Sequence, residues 1–168
     1  MTPTVIVVMG VSGCGKSTVA SKLAGRLGWE FAEADRFHPP ANIEKMRGGI
    51  PLDDDDRWPW LQSIAAWIDG ARRANRRSVI TCSALKRSYR RLIIGERPDV
   101  ALVYLKGDYT LIEKRLAKRA HHYMPAALLR SQFDALEEPS PEEKPIVVSI
   151  EPSPDDITAQ IIEAMRLG

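Results

Sequence analysis

Short apolar runs alternate along the chain with longer stretches in which apolar residues recur at helical spacing. The runs of strand length fall at residues 5–9, 29–35, 78–83, 100–105 and 146–150. Helical spacing follows the first run, where Ala20, Leu23, Ala24 and Leu27 would line one face. Strands that alternate with helices favour a parallel sheet covered by helices on both faces. The pattern therefore predicts an α/β fold with a five-stranded parallel sheet.

Capping signals predict where several helices begin and end. Gly28 follows the first helical stretch and is expected to form its C-cap. Four acids at residues 53–56 and Pro59 predict the start of another helix, with Pro59 in its first turn. Ser153 and Pro154 predict the start of the last helix, as its cap and its first residue.

Composition narrows the class of protein. The length of 168 residues predicts a single domain with its own hydrophobic core. A formal net charge of +2 does not favour a large polyanion, so nucleic acid is not an expected partner. Cys14 and Cys82 stand far apart without a CxxC motif, so neither a disulfide framework nor a zinc site is expected. The apolar runs are too short to cross a membrane and no secretory leader is apparent, which favours a cytoplasmic location.

A glycine-rich stretch joins the first predicted strand to the first predicted helix. Its sequence, Gly-Val-Ser-Gly-Cys-Gly-Lys-Ser-Thr, matches the phosphate-binding pattern G-x-x-x-x-G-K-[ST]. Backbone N–H groups of such a loop, together with the helix N-terminus, bind phosphate oxygens. The candidate nucleotide-binding residues in this loop are Gly10, Ser12, Gly13, Cys14, Gly15, Lys16, Ser17 and Thr18. The Lys16 ammonium would contact the β- and γ-phosphates, and the Ser17 hydroxyl would ligate Mg²⁺. The loop thus predicts ATP and Mg²⁺ as cofactors but does not identify an acceptor.

Two carboxylates lie at the end of the second predicted strand. Strand alternation would place Glu33 and Asp35 on one face, beside the phosphate loop. They are candidates for holding Mg²⁺ through water or for orienting an acceptor hydroxyl. Asp35 is the stronger candidate because His38-Pro39-Pro40 forces a turn soon after it. The end of the third strand lacks the acid that many phosphate-loop proteins use for Mg²⁺, so Ser17 is the expected protein ligand.

A helical stretch after the fourth strand is interrupted at residues 121–125. Arg115, Lys118 and Arg119 precede the interruption, and a second helical stretch follows it. Such a pair of helices has the composition of a lid that closes over a nucleotide and excludes water from the phosphoryl group. The predicted lid covers about residues 116–136.

Motifs beyond the phosphate loop occur in a specific order. They are Asp35 with His38-Pro39, Asn42-Ile43-Glu44-Lys45-Met46, Gly49, Pro51-Leu52, Asp54-Asp55-Asp56-Arg57 with Pro59-Trp60-Leu61, Cys82-Ser83-Ala84-Leu85-Lys86 with Tyr89-Arg90, Tyr104-Leu105 with Gly107-Asp108, and Gln132-Phe133 with Leu136 and Glu138-Pro139. The set resembles the gluconate kinases (gluconokinases) of the phosphate-loop type over residues 5–139. The resemblance implies phosphorylation of D-gluconate by ATP to 6-phosphogluconate. It also implies a fold of the nucleoside-monophosphate or shikimate kinase kind with a helical lid, and commonly a homodimer.

Gluconate is a small polyhydroxy carboxylate, so its pocket needs a cation for the carboxylate and partners for the hydroxyls. The candidate cations are Arg57, Lys86 and Arg90, and the candidate hydroxyl partners are Asp35 and His38. Asp35 is expected to orient the 6-hydroxyl or to take its proton, which makes it catalytic together with Lys16 and Arg119.

The two remaining candidates lie on the approach to the predicted lid. Arg115 is expected near the adenine or ribose, and Arg119 is expected to reach the phosphates from the lid. Two other functions remain open from the residues alone. One is a sister kinase that acts on shikimate or a nucleoside monophosphate, and the other is a nucleotide-binding module without catalysis.

Overall fold

The computed structural model describes residues 2–118 and 126–166. Its five strands are β1 (Val5–Met9), β2 (Glu30–Glu33), β3 (Ser78–Thr81), β4 (Val100–Lys106) and β5 (Ile146–Ser149). They form one sheet in the order β2-β3-β1-β4-β5, and every neighbouring pair is parallel. The predicted five-stranded parallel sheet is confirmed.

Strand β1 occupies the centre of the sheet. Val7 pairs with Ile80 of β3 on one side and with Leu102 of β4 on the other. All five residues of β1 are fully buried, because helices cover both faces. This burial explains why β1 is continuously apolar instead of alternating.

The described helices are α1 (Lys16–Leu27), α2 (Pro40–Arg47), α3 (Asp54–Arg73), α4 (Arg87–Ile93), α5 (Tyr109–Ala117), α6 (Ala126–Ala135) and α7 (Pro154–Met165). One core cluster joins α3 and α4 to the face of the sheet that carries Val5 and Val7. The other joins α1, α5, α6 and α7 to the face that carries Ile6 and Val8. The helices therefore lie on both faces, as the alternating pattern predicts.

Most capping predictions are confirmed. Gly28 adopts φ 70° and its N–H donates to the Ala24 carbonyl, which closes α1. Asp53 caps α3 through a capping box with Asp56, and Ser153 caps α7. The position of Pro59 was predicted wrongly. Helix α3 begins at Asp54, so Pro59 lies in the second turn, where it cannot donate a helical hydrogen bond.

The second strand is shorter than predicted, and this changes the position of Asp35. Strand β2 ends at Glu33, and a 3₁₀ helix spans Ala34–Phe37. The indole N–H of Trp60 donates to the Ala34 carbonyl at 2.7 Å, which holds the chain away from the sheet at this point. Asp35 therefore projects from a tight turn, and strand alternation does not determine its direction. Strand β3 likewise ends at Thr81, two residues before the predicted end at residue 83.

Candidate active site

The backbone of the phosphate loop has a conformation and close contacts that require glycine at three positions. Gly15 adopts φ 92° immediately before α1, which begins at Lys16 as predicted. A Cβ atom on Gly10 would lie 2.5 Å from the Cys14 sulfur, and one on Gly13 would lie 2.7 Å from Leu116 Cγ. Larger residues at positions 10 and 13 would therefore collide with the loop itself or with α5.

The Lys16 ammonium is folded back across the loop. It donates to the carbonyl oxygens of Gly10 at 2.9 Å and Val11 at 3.1 Å. This arrangement keeps a positive charge at the loop, where a triphosphate would bind. Cys14 is buried, and its backbone N–H donates to the Val11 carbonyl at 3.3 Å, so Cys14 helps to set the conformation of the loop.

A cavity of about 780 Å³ opens beside the loop. Six of the predicted nucleotide-binding residues line it, namely Ser12, Gly13, Gly15, Lys16, Ser17 and Thr18. Asp35, His38 and Arg57 line it as well, and so do Thr81, Cys82 and Ser83 at and just after the end of β3. The structure therefore joins the phosphate loop to three of the five predicted acceptor-side residues in one cavity.

The orientation of His38 is determined by its neighbours. Its ring stacks on the Trp60 indole with centroids 4.3 Å apart and an angle of 12° between the planes. The Asn42 side-chain amide lies 3.2 Å from His38 Nδ1. Burial lowers the pKa of His38, Arg57 lowers it further, and Asp35 opposes both. The net effect favours a neutral imidazole near pH 7.

Arg57 and Lys86 belong to a polar cluster around Asp54. The Tyr89 hydroxyl donates to the Asp54 carboxylate, and the Lys86 ammonium donates to the same carboxylate at 3.1 Å. Arg57 Nη1 donates to the Tyr89 hydroxyl at 3.3 Å. The hydrogen bonds from Tyr89 and Lys86 lower the pKa of Asp54. From the sequence, Asp54 is one of four acids at a helix start and part of a family motif, with no role predicted for its side chain; in the structure it holds two other side chains in place.

Arg90 does not lie where the sequence predicts. Its side chain is only 2% exposed, and its Nε donates to Glu143 Oε1 at 2.6 Å. Nη1 donates to the carbonyl oxygens of Ala84 and Leu85. The guanidinium joins the backbone at Ala84 and Leu85 to the Glu143 carboxylate, and Arg90 does not line the cavity. This geometry corrects the prediction that Arg90 contacts the substrate.

The described residues of the predicted lid lie at the end of α5 and in α6, and both helices approach the phosphate loop. Gln132 of α6 accepts from the Ser12 N–H at 2.7 Å and donates to the Ser12 hydroxyl at 2.9 Å. Gln132 was part of the family resemblance, but no local pattern in the sequence places it against Ser12. Arg115 is half-buried on α5 and does not line the cavity. Arg119, and with it the middle of the predicted lid, lies outside the described residues.

Cys82 follows β3 at the position where the sequence lacks an acid. It lines the cavity, and burial raises the pKa of its thiol to about 12, so the thiol is neutral at physiological pH. Within residues 2–118 and 126–166, no group of three or more His, Cys, Asp or Glu side chains is arranged to hold a metal ion.

No helix in the described part of the chain is both long enough and apolar enough to cross a membrane.

Comparisons with known proteins give consistent results. A family model described as an AAA domain matches residues 5–139. A gluconokinase of Gluconobacter oxydans is 48% identical over 160 residues, which cover 95% of this chain and 90% of the relative. The thermoresistant gluconokinase of Escherichia coli is 44% identical, over 98% of this chain and 94% of its own.

The chain is also similar to several solved structures of kinases. A gluconokinase from Sinorhizobium meliloti is 41% identical with a TM-score of 0.86, over 98% of this chain and 92% of its own. A sugar kinase from Janibacter is 44% identical with a TM-score of 0.91, over 99% of this chain and 96% of its own. A shikimate kinase from Aquifex aeolicus, at 15% identity and a TM-score of 0.62, has a similar fold.

Proposed function

This chain belongs to the gluconokinase family, and we propose that its cavity transfers the γ-phosphoryl group of ATP to the 6-hydroxyl of D-gluconate. The observation that carries this proposal is the single cavity lined by the phosphate loop and by Asp35, His38 and Arg57. A nucleotide-binding module without catalysis would need the loop but not the acceptor-side residues.

The loop and Lys16 form the donor half of the site. Backbone N–H groups and the start of α1 bind the phosphates, and Lys16 leaves the Gly10 and Val11 carbonyls to neutralise charge on the transferring group. Ser17 and the phosphate oxygens of the nucleotide would hold Mg²⁺, which agrees with the neutral thiol of Cys82 at the end of β3. When bound, Mg²⁺ neutralises charge on the phosphates.

Asp35 and Arg57 form the acceptor half. Asp35 is exposed to the cavity, so its carboxylate is free to orient the attacking hydroxyl and to accept its proton. Arg57 presents a guanidinium that lines the same cavity and suits the substrate carboxylate. Arg115 is assigned to the nucleoside and Arg119 to the phosphates, on the family resemblance alone. A homodimer and a cytoplasmic location belong to the proposal on the same basis.

An acceptor screen tests the proposed function. ADP release is measured with ATP and one of four acceptors: D-gluconate, D-glucose as the analogue without a carboxylate, shikimate or AMP. Turnover with D-gluconate that far exceeds the other three supports the proposal, and ³¹P NMR of the product should place the phosphate on the CH₂ carbon. Turnover with shikimate or AMP but not with D-gluconate would overturn it.

A further inference from the structure

The buried side chain of Asn42 has a fixed orientation. Asn42 lies on α2 and is 2% exposed, and its Nδ2 atom donates to the Asp56 carbonyl at 2.9 Å. A carbonyl oxygen accepts hydrogen bonds and cannot donate them. The nitrogen of the Asn42 amide, and not its oxygen, must therefore face Asp56.

The same nitrogen determines which nitrogen of His38 carries the proton. Asn42 Nδ2 has two hydrogens, and with one donated to Asp56 the other is available for His38 Nδ1 at 3.2 Å. Nδ1 must then accept. In a neutral imidazole only one nitrogen is protonated, so the proton of His38 lies on Nε2.

The surroundings of His38 favour this neutral form and fix the plane of its ring. Trp60 stacks on the ring, and the Trp60 indole is itself held by its bond to the Ala34 carbonyl. The charged groups that act on the imidazole are Asp35 from the 3₁₀ helix and Arg57 from α3. Within the described residues, no protein group hydrogen-bonds to Nε2.

We propose that Asn42 is a positioning residue that holds His38 as the Nε2–H tautomer, so that His38 donates a hydrogen bond to an oxygen of the sugar acid. The identity of the acceptor rests on the proposed function, whereas the tautomer rests only on Asn42 and Asp56. A protonated Nε2 cannot take the proton of the attacking hydroxyl. His38 therefore serves substrate recognition, and the role of base is left to Asp35.

The tautomer is tested on the full chain without substrate by long-range ¹H–¹⁵N NMR. The chain has three histidines, and the signals lost in His38→Gln assign His38. We expect an unprotonated Nδ1 and a protonated Nε2 in the wild-type chain, and a mixture of tautomers in Asn42→Leu. Trp60→Phe is the control, because it keeps an aromatic ring beside His38 and removes only the bond to Ala34. An Nδ1–H tautomer in the wild-type chain would overturn the proposal.

Kinetics test the donor role separately. His38→Gln keeps an N–H donor near Nε2, whereas His38→Leu does not. We expect KM for D-gluconate to rise roughly tenfold in His38→Leu, with kcat nearly unchanged, and to rise much less in His38→Gln. Asn42→Leu should change KM in the same direction as His38→Leu. An equal loss of kcat in both His38 variants would indicate a base and overturn the proposal. Absence of wild-type turnover with D-gluconate would overturn the proposed function and not the tautomer.

Discussion

Gln132 pairs twice with Ser12, although 120 positions separate them in the chain. Its amide oxygen accepts from a backbone N–H of the phosphate loop, and its amide nitrogen donates to the Ser12 hydroxyl. The contact joins α6 directly to the loop that would bind the triphosphate.

The charge at position 132 should control ATP affinity. Gln132→Glu can still accept from both Ser12 donors, so we expect the apo protein to keep its thermal stability. The added negative charge would lie beside the triphosphate, so we expect the Kd for ATP to rise roughly tenfold or more. Calorimetric titration measures this change. Gln160→Glu on the exposed face of α7 is the matched control. Equal ATP affinity in the two variants would mean that Gln132 is far from the bound phosphates.

Removing the charge of Asp35 should separate catalysis from nucleotide binding. We expect Asp35→Asn to lower kcat by about a hundredfold or more, because general base catalysis contributes at least that factor. The Kd for ATP should stay close to the wild-type value. Glu33→Gln, which changes the neighbouring carboxylate outside the cavity lining, is the control. Steady-state kinetics with saturating ATP measure the effect, and a normal kcat in Asp35→Asn would exclude Asp35 as the base.

Substitutions of Arg57 and Lys86 should differ in their effect on KM for D-gluconate. Arg57 lines the cavity, whereas Lys86 is paired with Asp54 and does not. We expect Arg57→Leu to raise KM for D-gluconate roughly tenfold to a hundredfold, as for the loss of a charged hydrogen bond. Lys86→Leu should raise it less than about threefold. The reverse order would assign the substrate carboxylate to Lys86.

Arg90 should matter for stability. Its loss leaves Glu143 and two backbone carbonyls without their partner, so we expect Arg90→Leu to lower the free energy of unfolding by about 3 kcal/mol or more. Arg91→Leu removes an exposed charge from the same helix and should change it by less than about 0.5 kcal/mol. Urea unfolding provides the measurement. A stable Arg90→Leu variant with a high KM for D-gluconate would restore Arg90 as a substrate contact.

The stability conferred by Asp69 should depend on pH. Arg97 donates to both carboxylate oxygens at 2.7 and 2.8 Å, Arg72 adds a third bond at 2.9 Å, and the pKa of Asp69 lies far below its ordinary value of 3.8. A lowered pKa in the folded state contributes stability above the unfolded value, and this is lost as the pH falls below it. Wild type should therefore exceed Asp69→Asn in stability at about pH 7, and the difference should shrink below about pH 4.

Urea unfolding over this pH range measures the difference. Asp155→Asn is the control, because the ion pairs of Asp155 with Lys22 and Arg26 are exposed, so the substitution should have little effect at any pH. A difference between wild type and Asp69→Asn that stays constant with pH would contradict the assignment.

The order of the strands and helices could be predicted because it depends on local patterns. Burial on both faces makes β1 continuously apolar, and Gly28, Asp53 and Ser153 act within their own turns. The end of β2 was predicted wrongly, because the contact at Ala34 comes from Trp60, 26 positions away. Arg90 was misassigned because no local pattern distinguishes a buried arginine from one that faces a cavity. Only the fold reveals such partners.

The central position of β1 has a consequence for the synthesis of the chain. Strand β1 pairs with β3 on one edge and with β4 on the other, so its second edge has no partner strand until β4, which ends at Lys106, has been made. A nascent chain that ends before β4 would therefore contain the entire phosphate-loop motif and still lack the support that shapes it. We therefore expect the loop to reach its folded geometry late in synthesis, although the motif itself lies within the first 18 residues.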